Sequence, residues 1–371
     1  MRLTVGERPD NVREAARRGP SWHPDRMRTM DELGDVAGFY AHFAEHEAKG
    51  ESATFAQWAA GVAHDPEVLA LLGELPTAKR QPNLVFAAAR WHGAATPSCY
   101  DADGGLRDVL LTRWPRVRET ILTRATQTNE VGRSASLLPL LSGLAGPLAL
   151  VEVGASAGLC LHPDRWSYRY LDDGGAEVAR IDPVGGPSPV VLECTVTGPA
   201  PIPPSPPVVV HRGGVDLNPL DLSADDNAAW LETLVWPEHE DRRQRLAAAC
   251  EQVADVAVDV ITGDLRTSLD EAVERARAAA PEATLVVFHT AVIAYLDEGG
   301  RRAWPQVVTE ALERVRADGG AAHWISNEGV DVLPGVSATA PCEPVDAGFC
   351  LALDGQAVAW THGHGRRLEW C

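Results

Sequence analysis

Apolar and polar positions divide this chain into two halves with different periods. Between residues 30 and about 144, apolar side chains recur every three or four positions, as at Phe55, Trp58 and Val62. This spacing is typical of amphipathic helices, and no strand-like alternation interrupts it. Ser52 stands just before one such pattern, where a helix N-cap belongs. The first half is therefore predicted to be all-helical, with five or six helices.

From Leu148 onward, short apolar runs alternate with helical patterns. The predicted strands are 148–151, 208–210, 256–261, 285–288 and 323–326. Strands that alternate with helices predict an α/β fold with a doubly wound, Rossmann-like parallel sheet. The last segment, FCLALDGQAVAW, alternates around Asp354 and Gly355 and predicts a tight antiparallel hairpin. We expect this hairpin to give the sheet one antiparallel edge strand.

These patterns predict three regions along the chain. Residues 1–28 are polar, rich in arginine and broken by prolines, which is typical of a mobile tail. Residues 29–145 form the helical domain, and residues 146–371 form the α/β domain. A proline-rich insert at about 163–207 interrupts the second domain, with a strand expected at Val190–Cys194. The density of prolines favours an extended connection or a hairpin insert rather than a flexible linker.

Composition narrows the class of protein and its partners. With 45% hydrophobic and 23% charged residues, the 371-residue chain has the composition of a globular protein in solution. Its net charge of −19 argues against nucleic acid as a general partner, since phosphate binding relies on basic surface. We expect a small-molecule substrate, and composition leaves the oligomeric state open.

The seven cysteines are dispersed, without paired short spacings. That distribution argues against a disulfide framework and against a structural zinc site, and the histidine spacing predicts no metal site either. No apolar run reaches the length of a signal peptide or of a membrane span. The expected location is therefore the cytoplasm, without a membrane partner.

The stretch LALVEVGASAG carries the strongest chemical signal. Glu152 follows an uninterrupted apolar run, which places it at the carboxyl end of a buried strand, where open α/β sheets bind ligands. Gly154, Ser156 and Gly158 follow as a turn of small residues, through which backbone can approach a ligand closely. We expect these four residues to bind a nucleotide-like cofactor.

Two further acids stand at the ends of later strands. Asp216 follows a glycine pair in RGGVDLNP, and Asp264 follows Gly263 in TGDL. A carboxylate can accept hydrogen bonds from both hydroxyls of a ribose or from an adenine amino group. Three acids at three successive strand ends therefore favour a ligand that contains adenosine over loop solvation or helix capping.

The order of elements and these motifs resemble the class I S-adenosylmethionine-dependent methyltransferases, whose fold ends in a similar hairpin. EVGASAG is similar to the first motif of that class, with Ser156 where a glycine usually stands. GVDLNP and TGDL resemble the two later acidic motifs. The resemblance implies S-adenosylmethionine as the cofactor, with Asp216 at the ribose hydroxyls and Asp264 at the adenine amino group. It also implies methyl transfer to a small molecule.

The whole chain after the tail is similar to a bacterial family catalogued as a domain of unknown function. The similar segments are QPNLVFAAA, NEVGRSA, EVGASAGL, GVDLNPLD and the Trp236–Pro237 pair. That resemblance supports the fold and implies no particular reaction.

The segment TQTNEVGRSAS just before the sheet has two interpretations. Asn129 could cap the helix that follows, with Glu130 near the positive end of that helix. Alternatively, Asn129 and Arg133 line the cofactor pocket beside the glycine turn, since they lie just upstream of it in the chain. We include both residues among the candidate cofactor-binding positions.

Candidate catalytic residues come from two other strand ends. His289 follows the fourth predicted strand, where methyltransferases commonly place groups that face the substrate. Tyr295 lies a short distance beyond it, and Glu328 ends the next strand. The alternatives are a hydrogen-bonded structural histidine and a solvated loop acid.

Two rival functions remain open. GASAG also fits the nucleophile elbow G-x-S-x-G of serine hydrolases, with Ser156 as nucleophile and His362 or His364 as the downstream base. Pro163 argues against this hydrolase, because it shortens the helix that normally supports such an elbow. The other rival is a binding protein that keeps the fold and the ligand site without catalysis.

Overall fold

The structure, a computed structural model, describes residues 35–127 and 129–371, apart from the side chain of residue 225. The tail predicted over residues 1–28 lies outside the described residues. Within these ranges, no helix combines the length and the apolar composition that crossing a bilayer requires.

Helices make up the first half of the described chain, as the periodicity predicts. They are α1 (Val36–His42), a π-helix (Phe43–Ala48), α2 (Ala53–Ala63), α3 (Pro66–Gly73), α4 (Pro82–Trp91), α5 (Leu106–Thr123) and α6 (Arg133–Gly143), with a 3₁₀ turn at Thr77–Lys79. The Ser52 hydroxyl accepts from the Phe55 N–H at 3.0 Å, so this residue is the predicted N-cap of α2. Helices α1 to α5 share a core that includes Phe86 and Trp230.

Helix α6 packs outside the core that helices α1 to α5 share. Its Leu137 and Leu138 lie in the same hydrophobic cluster as Leu148 and Leu150 of the sheet. The helix therefore covers the sheet rather than the other helices, although it precedes residue 145. The domain boundary at that residue stays a prediction.

The second half contains the strands and the helices that cover them. The strands are β1 (Leu148–Val153), β2 (Ser167–Leu171), β3 (Glu177–Ile181), β4 (Val191–Thr197), β5 (Val209–Asp216), β6 (Asp259–Thr262), β7 (Thr284–Thr290), β8 (Ala322–Gly329), β9 (Phe349–Leu353), β10 (Gln356–Thr361) and β11 (Arg367–Trp370). The helices are α7 (Asp225–Leu234), α8 (Glu240–Val253), α9 (Leu265–Ala279), α10 (Glu298–Ala317) and α11 (Pro334–Ser337), with 3₁₀ turns at Leu159–Leu161 and Ile293–Tyr295.

All these strands form one mixed, mostly parallel sheet of eleven strands in the order β3-β2-β4-β11-β10-β9-β8-β7-β1-β5-β6. Strand β1 pairs in parallel with β5 on one side and with β7 on the other, and each of its residues is buried. An apolar run buried on both faces is what the sequence of β1 predicts. Its carboxyl end therefore lies between the ends of β5 and β7.

The C-terminal hairpin forms at the predicted turn but not at the predicted place. Asp354 and Gly355 adopt φ angles of +50° and +79°, which suits a two-residue hairpin loop. However, β9 pairs with β8 and β10 pairs with β11, so the hairpin lies inside the sheet. The expectation that it supplies the edge strand is wrong. Strands of the proline-rich insert extend the sheet past it, and β3 forms that edge.

The proline-rich insert contains more regular structure than its composition suggests. Strands β2 and β3 form an antiparallel hairpin, and β4 pairs in parallel with β2. The predicted strand at Val190–Cys194 corresponds to β4. The aromatic side chains of Tyr168 and Tyr170 in β2 are fully buried. This insert therefore builds part of the hydrophobic core.

A disulfide bond joins Cys342 to Cys371, with their Cα atoms 5.6 Å apart. The sequence argued against a disulfide framework, and this bond is a single cross-link that the dispersed cysteines did not suggest. The two residues are 29 positions apart in the chain. Folding of the C-terminal strands brings them together, and short-range cysteine spacing carries no information about such a contact.

Candidate functional site

A small polar pocket lies at the carboxyl end of β1. Its cavity volume is about 10 Å³, room for about one water molecule, and it is partly open to solvent. Its lining residues are Asn129, Glu130, Arg133, Glu152, Gly154, Ala155, Leu159, Cys160 and Thr290. The walls thus come from three parts of the chain: the segment before α6, the turn after β1 and the end of β7.

The turn after β1 follows a left-handed path. Gly154 and Gly158 have φ angles of +75° and +71°, and Ser156 has a φ of +50°. Glycine is the residue that tolerates this region, so Ser156 stands where the backbone would favour a glycine. The Asn129 side chain holds the turn: its Nδ2 donates to Ser156 Oγ at 2.6 Å and its Oδ1 accepts from the Ala157 N–H at 3.1 Å. Asn129 therefore anchors the turn and does not cap α6, whose N-cap is Gly132 without a side-chain bond.

Glu152 lines the pocket from the carboxyl end of β1. It is 5% exposed, and its Oε2 is buried without a hydrogen-bond partner. Burial raises the pKa of Glu152 well above its usual value; Arg133 opposes this effect and Asp216 adds to it. A buried carboxyl group without a partner is costly, so this atom is prepared to receive a ligand's donor.

Arg133, the first residue of α6, lines the same pocket as Glu152. The residue is 7% exposed. Its Nε donates to the Gly363 carbonyl at 2.9 Å, and its Nη1 donates to the Thr290 carbonyl at 2.9 Å and to the Thr290 hydroxyl at 3.2 Å. Arg133 thus connects the end of β7 to the C-terminal loop and places a positive charge beside the pocket.

Glu130 connects the pocket to helix α8 and to the C-terminal loop through two ion pairs. Its Oε2 lies 2.6 Å from Arg242 Nε of α8 and 3.3 Å from His364 Nδ1. Burial alone would raise the pKa of Glu130, but Arg242, His364 and Arg133 outweigh burial and hold the pKa below its usual value. Glu130 is therefore an ionised, structural member of the wall.

The sequence suggested the loop from His362 to Gly365 only as the source of a base in the hydrolase alternative, and not as a structural support of the pocket. Its backbone packs so closely on Gly132 that a Cβ on Gly365 would fall 2.0 Å from the Gly132 carbonyl oxygen. The alternation His-Gly-His-Gly was the available signal, because paired glycines allow backbone to approach backbone. Thr290 also lines the pocket, and the sequence identified it only as a residue at the end of a predicted strand.

Asp216 ends β5, as predicted, and lies beside the glycine turn. Its Oδ2 accepts from the Ser156 N–H at 2.8 Å and its Oδ1 accepts from the Asn218 N–H at 2.7 Å. Both carboxylate oxygens therefore already bind backbone groups. The structure gives Asp216 a clear local function, which is to hold the turn after β1 against the end of β5.

We expect Asp216→Ala to lower the free energy of unfolding by about 2–4 kcal/mol, because two backbone N–H groups lose a charged acceptor. Denaturant unfolding of the protein without ligand measures this change. Asp221→Ala is the matched control, since Asp221 also accepts from a residue two positions on but is exposed and bridges no strands. Equal stability of Asp216→Ala and wild type would show that these bonds do not hold the turn.

Asp264 does not line the pocket. It follows β6 and caps α9, where its Oδ1 accepts from the Arg266 N–H at 2.9 Å. The Arg266 side chain adds further hydrogen bonds, which lower the pKa of Asp264 to about 2. This arrangement matches the capping alternative for Asp264. Its role at an adenine ring stays a prediction.

His289 and Glu328, predicted as separate candidates, form one buried pair. His289 Nδ1 lies 2.7 Å from Glu328 Oε1, and the histidine has no exposed surface. The indole N–H groups of Trp304 and Trp324 both lie 3.0 Å from His289 Nε2. Because an indole N–H can only donate, Nε2 is the acceptor and Nδ1 carries the proton.

Glu328 Oε1 accepts two more hydrogen bonds, from the Val292 N–H at 3.1 Å and the Ile293 N–H at 3.2 Å. All polar atoms of the His289 ring are thus engaged by protein groups. The geometry favours a structural role for His289, which orients Glu328 at the end of β8. Its catalytic role stays a prediction, as does that of Glu328. Tyr295, in contrast, lies on the surface with 73% exposure, in the 3₁₀ turn after β7.

The strands and the pocket define the class of protein: an α/β protein with a large mixed, mostly parallel sheet and a small polar pocket at the carboxyl end of β1. A family model described as uncharacterized protein conserved in bacteria (DUF2332) matches residues 37–370. The chain belongs to this family. No curated protein and no solved structure gives a match.

Proposed function

We propose that the pocket at the end of β1 binds the amino-acid end of S-adenosylmethionine, and that the protein transfers the methyl group to a small molecule. One observation carries this proposal: Glu152, whose Oε2 is buried and unpartnered, lines the same pocket as Arg133. A carboxylate and a guanidinium in one pocket are complementary to an ammonium and a carboxylate on one ligand. The parallel strands β6-β5-β1-β7-β8 support the methyltransferase resemblance, because β1 lies at their centre.

The residues at this site fit the methionine half of the cofactor. A cation beside Glu152 would restore the charge that burial disfavours. When bound, S-adenosylmethionine would supply an electrophilic methyl group. The residues of the pocket bind and orient the ligand: Glu152 holds the ammonium group, and Asn129 keeps the turn in its left-handed path.

Fewer side chains have free hydrogen-bonding atoms for the nucleoside half of the cofactor. Asp216 is engaged by two backbone N–H groups, and Asp264 by Arg266. Each carboxylate oxygen keeps one lone pair, so Asp216 could accept a ribose hydroxyl only in addition to its present bonds. The cavity, at about 10 Å³, is also far below the roughly 300–1,000 Å³ of typical small-molecule sites, so binding requires its walls to move apart.

Calorimetric titration of the full chain with S-adenosylmethionine, its demethylated product, methionine and adenosine tests the proposal. We expect heat from the first three ligands, and tighter binding of the two nucleoside-containing ones than of methionine. Heat from adenosine alone, or no binding of S-adenosylmethionine to the folded protein, would contradict the proposal. Methyl transfer can then be measured with a radiolabelled donor and candidate small molecules.

A second candidate is a non-catalytic protein that binds a small α-amino acid at the same pocket. The engaged state of Asp216 favours this function, because its two carboxylate oxygens already bind backbone groups and no free carboxylate is prepared for a ribose. Tight binding of methionine together with no binding of S-adenosylmethionine would select it. The hydrolase alternative has weaker support, since the Ser156 hydroxyl accepts from the Asn129 amide. Labelling of Ser156 by a fluorophosphonate would support the serine hydrolase function instead.

A further inference from the structure

A second cavity lies on the helical half of the molecule, between the end of α4 and the middle of α5. Its volume is about 410 Å³, which falls within the roughly 300–1,000 Å³ of typical small-molecule sites. Its lining residues are His92, Thr112, Arg113, Pro115 and Arg116. None of them lines the pocket at the end of β1, so the two sites are separate.

A kink in α5 shapes one wall of this cavity. Arg113 leaves the helical region, with φ −124° and ψ 16°, and Pro115 follows inside the helix. An interior proline lacks the N–H group and clashes with the carbonyl group four residues earlier, so it bends a helix. Trp114 stays buried in the helical core, while the side chains on either side of it are exposed along the cavity.

Arg113 is fixed against the end of α4. Its Nη1 donates to the His92 carbonyl group, and a helix C-terminus attracts positive charge. Gly93 permits this approach: its φ is +95°, and a Cβ there would fall 2.7 Å from Arg113 Nη1. Within the described residues, Nε and Nη2 of Arg113 have no protein partner. These two groups can therefore donate to a ligand.

The guanidinium group of Arg116 has neither a hydrogen-bond nor an ion-pair partner in the described part of the chain. Its neighbour Arg118 differs, since its Nε lies 3.9 Å from a Glu74 carboxylate oxygen. Arg116 follows Arg113 by three positions, a spacing that places two side chains on the same side of a helix. Both guanidinium groups thus face one cavity with unused N–H donors.

The charge of α5 is opposite to that of the protein. The helix carries four arginines and two acids, whereas the whole chain has 33 lysines and arginines against 52 aspartates and glutamates. Burial lowers the pKa of His92, and the charges of Arg116 and Arg113 lower it further, against a backbone bond from Arg116 and the charge of Glu119. The cavity is therefore a local basic region on an acidic protein, and such a region attracts anions.

The other two polar side chains of the cavity are already bonded. Thr112 Oγ1 donates to the Asp108 carbonyl group at 2.7 Å, and His92 Nε2 lies 2.8 Å from Thr120 Oγ1. Recognition of an anion therefore depends on the two arginines.

We propose that this cavity binds a phosphate monoester, with Arg113 and Arg116 donating to the phosphate oxygens and the Pro115 ring packing on the organic group. Guanidinium groups present their N–H donors in a planar fork that fits two phosphate oxygens. A phosphate monoester carries nearly two negative charges and three terminal oxygens, enough for two guanidinium groups, whereas a carboxylate has one charge and two oxygens. The site does not depend on the function proposed for the pocket at β1.

NMR titration of the full chain tests this site with four probes: phenyl phosphate, inorganic phosphate, benzoate and benzylamine. We expect phenyl phosphate to bind most tightly, because it supplies both the charge and a ring to pack on Pro115. Inorganic phosphate and benzoate should bind more weakly, and benzylamine should not bind. Arg116→Gln should weaken phenyl phosphate roughly tenfold, the lower value of one charged hydrogen bond. Arg118→Gln, on the same helix but outside the cavity, should leave its affinity unchanged.

Four results would overturn the proposal: no binding of phenyl phosphate to wild type, equal binding of benzoate, unchanged affinity in Arg116→Gln, or an equal loss in Arg118→Gln. The last result would show a response to the charge of α5 as a whole rather than to a site. Because Arg116 is exposed and bonds no protein group in the described residues, Arg116→Gln should unfold at the same denaturant concentration as wild type. Weaker binding by this variant then reports on the cavity itself.

Discussion

Glu152→Gln is expected to weaken binding of S-adenosylmethionine and of its demethylated product by about 2–3 kcal/mol, or roughly 30- to 150-fold. The substitution keeps the shape of the side chain and removes the negative charge that would hold the ligand's ammonium group. Calorimetry with wild type and variant measures the difference. Glu193→Gln, in an exposed position of β4, serves as the control and should bind as wild type does.

The same variant should not be less stable than wild type. Burial raises the pKa of Glu152 in the folded protein above its value in the unfolded chain. The contribution of this residue to stability is therefore fully present below the unfolded pKa and is lost as the pH rises through the folded pKa. A glutamine avoids that loss, so reduced binding by Glu152→Gln cannot be attributed to unfolding.

Proton release gives a second measurement on this residue. An ammonium group beside Glu152 lowers its raised pKa, so binding at a pH between the free and bound values releases a proton to the buffer. The heat of binding should then vary with the ionisation enthalpy of the buffer, and this variation should disappear in Glu152→Gln. Unchanged affinity and unchanged proton release in the variant would remove Glu152 from the site.

His289→Phe is expected to lower the free energy of unfolding by about 3–5 kcal/mol, because it breaks a buried hydrogen bond to a carboxylate and leaves buried donors unsatisfied. The substitution removes the N–H donor of Glu328 and leaves the indole N–H groups of Trp304 and Trp324 without their acceptor. Denaturant unfolding measures the change.

His323→Phe is the matched control for this prediction. His323 also contacts an acid, with its Nδ1 2.8 Å from Asp354 Oδ2, but both side chains are about one-third exposed. Water can replace such a contact, so a loss below about 1 kcal/mol is expected. If His289→Phe is as stable as wild type and only loses transfer activity, His289 has the catalytic role that the sequence suggested.

The sequence predicted that several acids of the candidate site lie at the carboxyl ends of strands. Glu152, Asp216 and Asp264 each follow an apolar run, and each lies at or just beyond the carboxyl end of a strand in the structure. Strand ends can be predicted because an apolar run must stop where the chain leaves the core. The partner of each polar group depends on the direction of its side chain. The Asp264 side chain caps its own helix α9 and does not line the pocket.

The segment Asn129–Arg133 shows where sequence order was informative. Its position just upstream of β1 suggested a pocket wall, and the structure places both residues at the pocket. Its partners were not predictable. Arg133 binds the Gly363 carbonyl 230 positions away, and Glu130 binds Arg242 and His364. Composition carries no signal for contacts of such separation.

The sequence by itself determined the helical first half, the buried parallel strands and the turn of the last hairpin, because each depends on local periodicity or on a residue such as Gly355 that permits a left-handed turn. Only the tertiary structure decided that the hairpin lies inside the sheet, that β2 and β3 extend it, and that His289 holds Glu328. Strand order and buried polar pairs depend on contacts between segments that are far apart in the chain and become buried together. No short window of residues contains the information for such contacts.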